Sequence, residues 1–132
     1  MMAWTPVAVV RRHPVRYWRH HLAQDYDVRT IRRMRGCLAK INLPAETRWR
    51  DAATGDAAAA IGVAIGVAIR MREVDTDPFE LDAAMTALAI CSFAGSEAAR
   101  VVMANMLRRL PSGGEVEVRI ADSWLDREVS HG

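Results

Sequence analysis

The stretch Ala57-Ala58-Ala59-Ala60-Ile61-Gly62-Val63-Ala64-Ile65-Gly66-Val67-Ala68-Ile69-Arg70-Met71 is the longest apolar run in the chain, and everything around it is more polar. Before Arg70 it falls short of the roughly 18 to 20 apolar residues that cross a bilayer, which argues against a membrane span. Apolar residues on every face, in place of a single stripe, predict a helix covered by protein on most sides. Ile, Val and Gly also tolerate extended structure, but the leading alanines and the length of the run favour helix.

Ile61-Gly62-Val63-Ala64 is followed at once by Ile65-Gly66-Val67-Ala68, a tandem with a step of four. That step keeps like residues near one helix face, so Ala58, Gly62 and Gly66 form a strip of small side chains that another backbone can approach. Each glycine inside a helix costs about 0.8–1 kcal/mol relative to alanine, and close packing is expected to offset the loss. The occupant is either another part of the same subunit or a second copy at a dimer seam.

Outward from this run, the punctuation marks further helices. Asp27 is an N-cap residue, and Val28, Ile31, Met34, Leu38 and Ile41 recur at helical spacing through Lys40 until Asn42-Leu43-Pro44 ends the segment. Pro14 can start a shorter helix towards Gln24, and Pro44 another towards Ala53, with Gly55 and Asp56 breaking the chain before the central run. On the other side, Asp77-Pro78 predicts a helix to about Phe93, and Gly95-Ser96-Glu97 predicts a stop and a new helix to Leu110. After Ser112-Gly113-Gly114, Val116, Val118 and Ile120 alternate with Glu115, Glu117 and Arg119, the period of a strand. Val7–Val10 is the other obvious β-branched run, so the sequence permits a short two-stranded element joining the chain ends. Trp124 and Leu125 are candidates to fasten the tail. The expectation is a mainly α fold: a small helical bundle around a buried central helix at about 57–71, with that terminal β element as an addition.

At 132 residues, 51% hydrophobic and 26% charged, the chain reads as one globular domain, 1–132, able to bury a core without disulfides or metal. Its net charge of +2 conceals an asymmetry. Residues 1–50 hold eleven Arg or Lys against three acids, 11 − 3 = +8, and residues 51–132 hold seven against thirteen, 7 − 13 = −6. A basic half (1–50), an apolar helical core (56–110) and an acidic tail (111–132) follow. Such a split means either a basic surface for an acidic partner or two parts of one fold that attract each other. Cys37 and Cys91 have no CxxC or metal-ligand spacing and read as reduced thiols; no export signal is apparent, and a cytoplasmic location is expected.

Chemistry-bearing clusters are few. His20, His21 and Asp25 are the densest, but adjacent histidines on a helix point to different faces and do not clasp one ion as a His-x-x-x-His pair does. Asp75, Asp77 and Glu80 suit a loop feeding a helix N-terminus, where the dipole recruits acids. No nucleophile motif, P-loop or dinucleotide glycine pattern occurs, so neither an enzyme nor a cofactor is expected. The first functional expectation is a non-enzymatic regulatory or adaptor protein acting through protein–protein binding or homodimerisation, with Ala58, Gly62 and Gly66 at the interface. The alternative is a nucleic-acid-binding module using Arg29, Arg32, Arg33, Arg35, Arg48 and Arg50, with Tyr17, Trp18 or Trp49 to stack on bases. The competing explanation for those arginines is a solvated face with salt bridges to the acidic helices.

Overall fold

A computed structural model describes residues 13–74, 77–110 and 115–125. Six α-helices occur among them: α1 (Val28–Leu38), α2 (Trp49–Ala53), α3 (Ala57–Glu73), α4 (Pro78–Phe93), α5 (Glu97–Arg108) and α6 (Glu115–Leu125). A 3-10 helix, Pro14–Arg19, and a single 3-10 turn, Ala23–Asp25, precede α1. The expected caps operate. The side chains of Asp27, Asp56, Asp77 and Ser96 accept from the backbone N–H groups of Thr30, Ala59, Phe79 and Ala99, satisfying donors that a helix start leaves orphaned. Gly55 and Gly95 turn the chain at φ 110°, a conformation that side-chain-bearing residues rarely adopt.

The helix at the centre is α4, and not the apolar run of α3 as its composition suggests. Every residue from Leu81 to Ser92 is buried, and α3, α5, α1 and the 3-10 helix all pack on α4. Ala83, Ala84, Ala87 and Ala89 let these neighbours approach from several sides, while Leu81, Met85, Leu88 and Ile90 fill the space between them. By contrast, α3 buries one face only, through Ala59, Ala60, Val63, Ala64 and Val67, and leaves Ile65 and Ile69 47% and 48% exposed. Composition alone does not separate the two helices, because burial depends on how many neighbours the topology supplies.

The polar residues of α4 are each tied down. Asp82, 1% exposed, meets Arg16 Nη1 at 3.1 Å and Arg19 Nε at 2.6 Å, both from the 3-10 helix. The Thr86 hydroxyl lies 2.8 Å from the carbonyl oxygen of Asp82 and 3.0 Å from that of Val15. Ser92 donates to the Leu88 carbonyl at 2.8 Å. The segment from Pro14 to Tyr26 is thus strapped across the central helix, with Val15, Trp18, Ala23 and Tyr26 buried beneath it.

The predicted strand at Val116–Ile120 is helical instead, and no strand occurs among the described residues; Val7–Val10, its expected partner, lies outside them. Ile120, Ala121 and Trp124 form the buried face of α6, at helical spacing, and Val116 and Val118 remain 61% and 47% exposed. The alternation therefore counted two residues that contribute nothing to the core. Trp124 meets Tyr26 and Phe93 at ring-centroid distances of 5.2 and 5.3 Å, and Arg100 Nη1 reaches its carbonyl oxygen. These contacts, made by residues distant in sequence, override the local strand preference.

Candidate functional site

Helix α1 carries the densest positive charge. Met34 and Leu38 face the core, and Arg29, Arg32, Arg33 and Arg35 are exposed around the rest of the helix, followed by exposed Lys40. None of these five forms an ion pair with an acid among the described residues, and neither do Arg48 and Arg50. Five arginines elsewhere are paired, Arg16 and Arg19 with Asp82, Arg70 with Glu46 and Glu80, Arg100 with Glu97, and Arg108 with Asp122, whereas Arg72, Arg109 and Arg119 form no ion pair among the described residues. The expected attraction between basic and acidic halves is real at Asp82, but it does not involve α1.

Among the described residues, two cavities border this helix. One, of about 400 Å³, is lined by Thr30, Arg33 and Met34 of α1 and by His13, Pro14, Tyr17, His20 and His21. The other, of about 730 Å³, lies between the end of α1, the loop that follows it and α2, where Lys40 and Arg50 share the wall with Glu46. The Trp49 indole N–H donates to the Ile41 carbonyl at 2.9 Å and closes that loop. Arg48 is elsewhere, its Nη1 lying over Gly62 of α3. Among the sequence-nominated arginines, then, Arg29, Arg32, Arg33 and Arg35 share a helix, Arg50 joins Lys40, and Arg48 stands apart.

Of the expected stacking rings, Trp18 and Trp49 are buried, and Trp18 has the Arg19 guanidinium 4.5 Å from its ring centroid. Tyr17 is half-buried and stacks on His21, with ring centroids 3.6 Å apart and planes within 3°. His21 Nδ1 lies 3.0 Å from the Tyr17 carbonyl oxygen. Both His20 and His21 line the smaller cavity because the 3-10 helix has already ended at Arg19, so the argument from helix faces does not apply to them. Asp25 turns to the Leu22 N–H at 2.8 Å. Among the described residues no group of three or more His, Cys, Asp or Glu side chains is placed to hold a metal ion.

Burial shifts several ionisable groups in this region. It raises the Tyr17 phenol, helped by the Asp25 charge, and pushes Tyr26 far above the ordinary tyrosine value. The same cause raises both thiols, Cys37 and Cys91, so neither presents a thiolate suited to nucleophilic work at neutral pH. Burial also raises the Asp82 carboxyl, against the pull of Arg19 and Arg16.

The small-residue strip of α3 is not bare. A Cβ on Gly66 would stand 2.9 and 3.0 Å from the two carboxylate oxygens of Glu46, and one on Gly62 would stand 3.3 Å from Arg48 Nη1. The close approach that the glycines permit is used by polar side chains of the same chain, and the Glu46 carboxylate so placed pairs with Arg70 at 3.0 Å. Ala58 is exposed, at the start of the face that carries Ile65 and Ile69. Of the acidic cluster, Asp77 caps α4 and Glu80 pairs with Arg70 at 2.7 Å, while Asp75 lies outside the described residues. No helix among the described residues is long and apolar enough to cross a membrane. Comparison of the chain with protein-family models, with curated proteins and with solved structures gives no match.

Proposed function

We propose that the chain is a non-enzymatic binding module that docks nucleic acid on the basic face of α1. The observation that carries this reading is the set of exposed cations Arg29, Arg32, Arg33, Arg35 and Lys40, gathered on one helix and its end with no acid partner among the described residues, while the other arginines without one, Arg48, Arg50, Arg72, Arg109 and Arg119, are scattered over other elements. Unpaired charge on a rigid helix meets a phosphate backbone without first breaking internal ion pairs, and counterion release drives the association. Fluorescence anisotropy with labelled DNA and RNA across a salt series tests it. Tight binding at low salt that weakens steeply as salt rises is expected, and the Arg29→Glu, Arg32→Glu double variant should lose it while keeping its helical circular dichroism. Binding that ignores both salt and charge reversal would sink the reading.

A second reading, self-association or docking of a protein partner on α3, is supported by the exposed apolar residues Ile65 and Ile69 beside Ala58. Here Gly62 and Gly66 contribute less than their spacing suggests, since Arg48 and Glu46 lie over them. Light scattering decides between monomer and dimer. A dimer that Ile65→Asp and Ile69→Asp together dissociate is the expected result under this reading, and a monomer at all concentrations removes self-association.

A further inference from the structure

The stacked rings of Tyr17 and His21 are only half-buried, and both line the 400 Å³ cavity to which α1 contributes Thr30, Arg33 and Met34. That volume lies within the roughly 300–1,000 Å³ typical of small-molecule sites. Its walls supply two kinds of group. Tyr17 and His21 present aromatic surface, and Arg33, Thr30, His20 and His21 present cationic or hydrogen-bonding groups. No carboxylate lines it among the described residues. The acids whose charge acts on Tyr17, Asp25 and Asp27, have oxygens engaged by the backbone N–H groups of Leu22 at 2.8 Å and Thr30 at 2.7 Å. Arg33 belongs at once to this cavity and to the exposed basic face, so a chain of phosphates lying along α1 passes its mouth.

We propose that the cavity takes one unstacked base of a single-stranded nucleic acid, laid against the Tyr17–His21 pair, with Arg33 and Thr30 meeting the adjoining phosphate. This rests on the reading of α1 as a nucleic-acid surface and adds strand selectivity to it. Every base has a flat π face, so stacking on a ring pair does not depend on sequence. In a duplex each base is already paired and stacked, and it reaches the cavity only by flipping out. Single strands are therefore the preferred ligand.

The experiment measures anisotropy of labelled oligo-dT and of a duplex of the same strand length, at one low salt concentration, for the wild type, His21→Ala and His21→Phe. Loss of one stacked ring weakens single-strand binding by about tenfold. The expected result is a single-strand preference of that order, lost in His21→Ala, kept in His21→Phe, with duplex affinity the same in all three. Should His21→Ala fail to fold, NMR titration of the wild type with a mononucleotide is the substitute readout, with ring-current shifts expected at the His21 and Tyr17 side chains and their absence counting against the cavity. Equal affinity for both ligands, indifferent to His21, overturns the cavity proposal and leaves the α1 reading standing. Failure of both ligands to bind at low salt overturns both.

Discussion

Asp82 is the residue on which the N-terminal strap depends. Its carboxylate is buried in α4, and Arg16 and Arg19 close on it from the 3-10 helix. Removing one partner of a buried ion pair costs about 3–5 kcal/mol, because the charge left behind has no compensation. Here the arginines retain a route to water, so Asp82→Ala should cost about 3 kcal/mol, the low end of that range, read from a urea midpoint. Replacing all three with apolar residues of similar size should restore most of that loss, since a buried pair seldom outperforms well-packed hydrophobes.

Charge state at two aspartates follows opposite rules. The Asp82 carboxyl is raised by burial, so its proton binds more tightly in the fold than in the unfolded chain. The stabilisation linked to that proton is present below the unfolded value and fades as pH rises through the folded one, above which the carboxylate is held by Arg16 and Arg19. Asp27 is lowered, chiefly by the Thr30 N–H it caps, so its contribution is present above the unfolded value and is lost as pH falls through the folded one. Comparing Asp27→Asn with the wild type by thermal melting across the acid range should show a shallower loss of stability in the variant. Equal acid slopes would mean that the cap does not titrate.

At the scale of the element, the two glycines of α3 separate propensity from contact. Gly62→Ala should stabilise the protein by about 0.8 kcal/mol, the propensity gain, because the side chain in its way is the far end of Arg48. Gly66→Ala gains the same propensity but displaces the Glu46 carboxylate from Arg70, so its net effect should be smaller. Chemical denaturation of the pair orders them; a larger gain at Gly66 would mean that the Glu46–Arg70 contact adds nothing. Helix α6 allows a sharper test. Arg119→Pro, which removes the N–H bonded to the Glu115 carbonyl, should cost about 3 kcal/mol through a broken helix, whereas Val116→Lys, on the exposed face, should stay within about 0.5 kcal/mol.

At the scale of the whole molecule, the charge asymmetry has a measurable signature. If four arginines of α1 each neutralise one phosphate of a single strand, the logarithmic salt slope is about 0.7 × 4 = 2.8. Raising salt fourfold should then weaken binding by about fiftyfold. The titration should also shallow by about 0.7 for each arginine reversed, and a slope near zero would show that the basic face makes no phosphate contact.

The starts of α1, α3, α4 and α5 were legible in the sequence because their signals are local, whereas the segment expected from Pro44 to Ala53 is helical only over Trp49–Ala53 and Pro14 begins a 3-10 helix that ends at Arg19. Asp27, Asp56, Asp77-Pro78 and Gly95-Ser96 start or stop helices through bonds and φ angles that involve only near neighbours. The arginine face of α1 was legible for the same reason, as one amphipathic period. What the sequence by itself determined is therefore a mainly helical chain with these boundaries and this basic helix. Tertiary structure alone decided that α4 and not α3 is central, that Val116–Ile120 is helical, and that Tyr17, His21 and Arg33 line one cavity. Each of those outcomes depends on partners far away in the chain: Asp82 on Arg16 and Arg19, Trp124 on Tyr26 and Phe93, the 3-10 helix on α1. Periodicity within a segment shows which residues prefer to be hidden, and only the arrangement of the other segments settles which of them have something to hide behind.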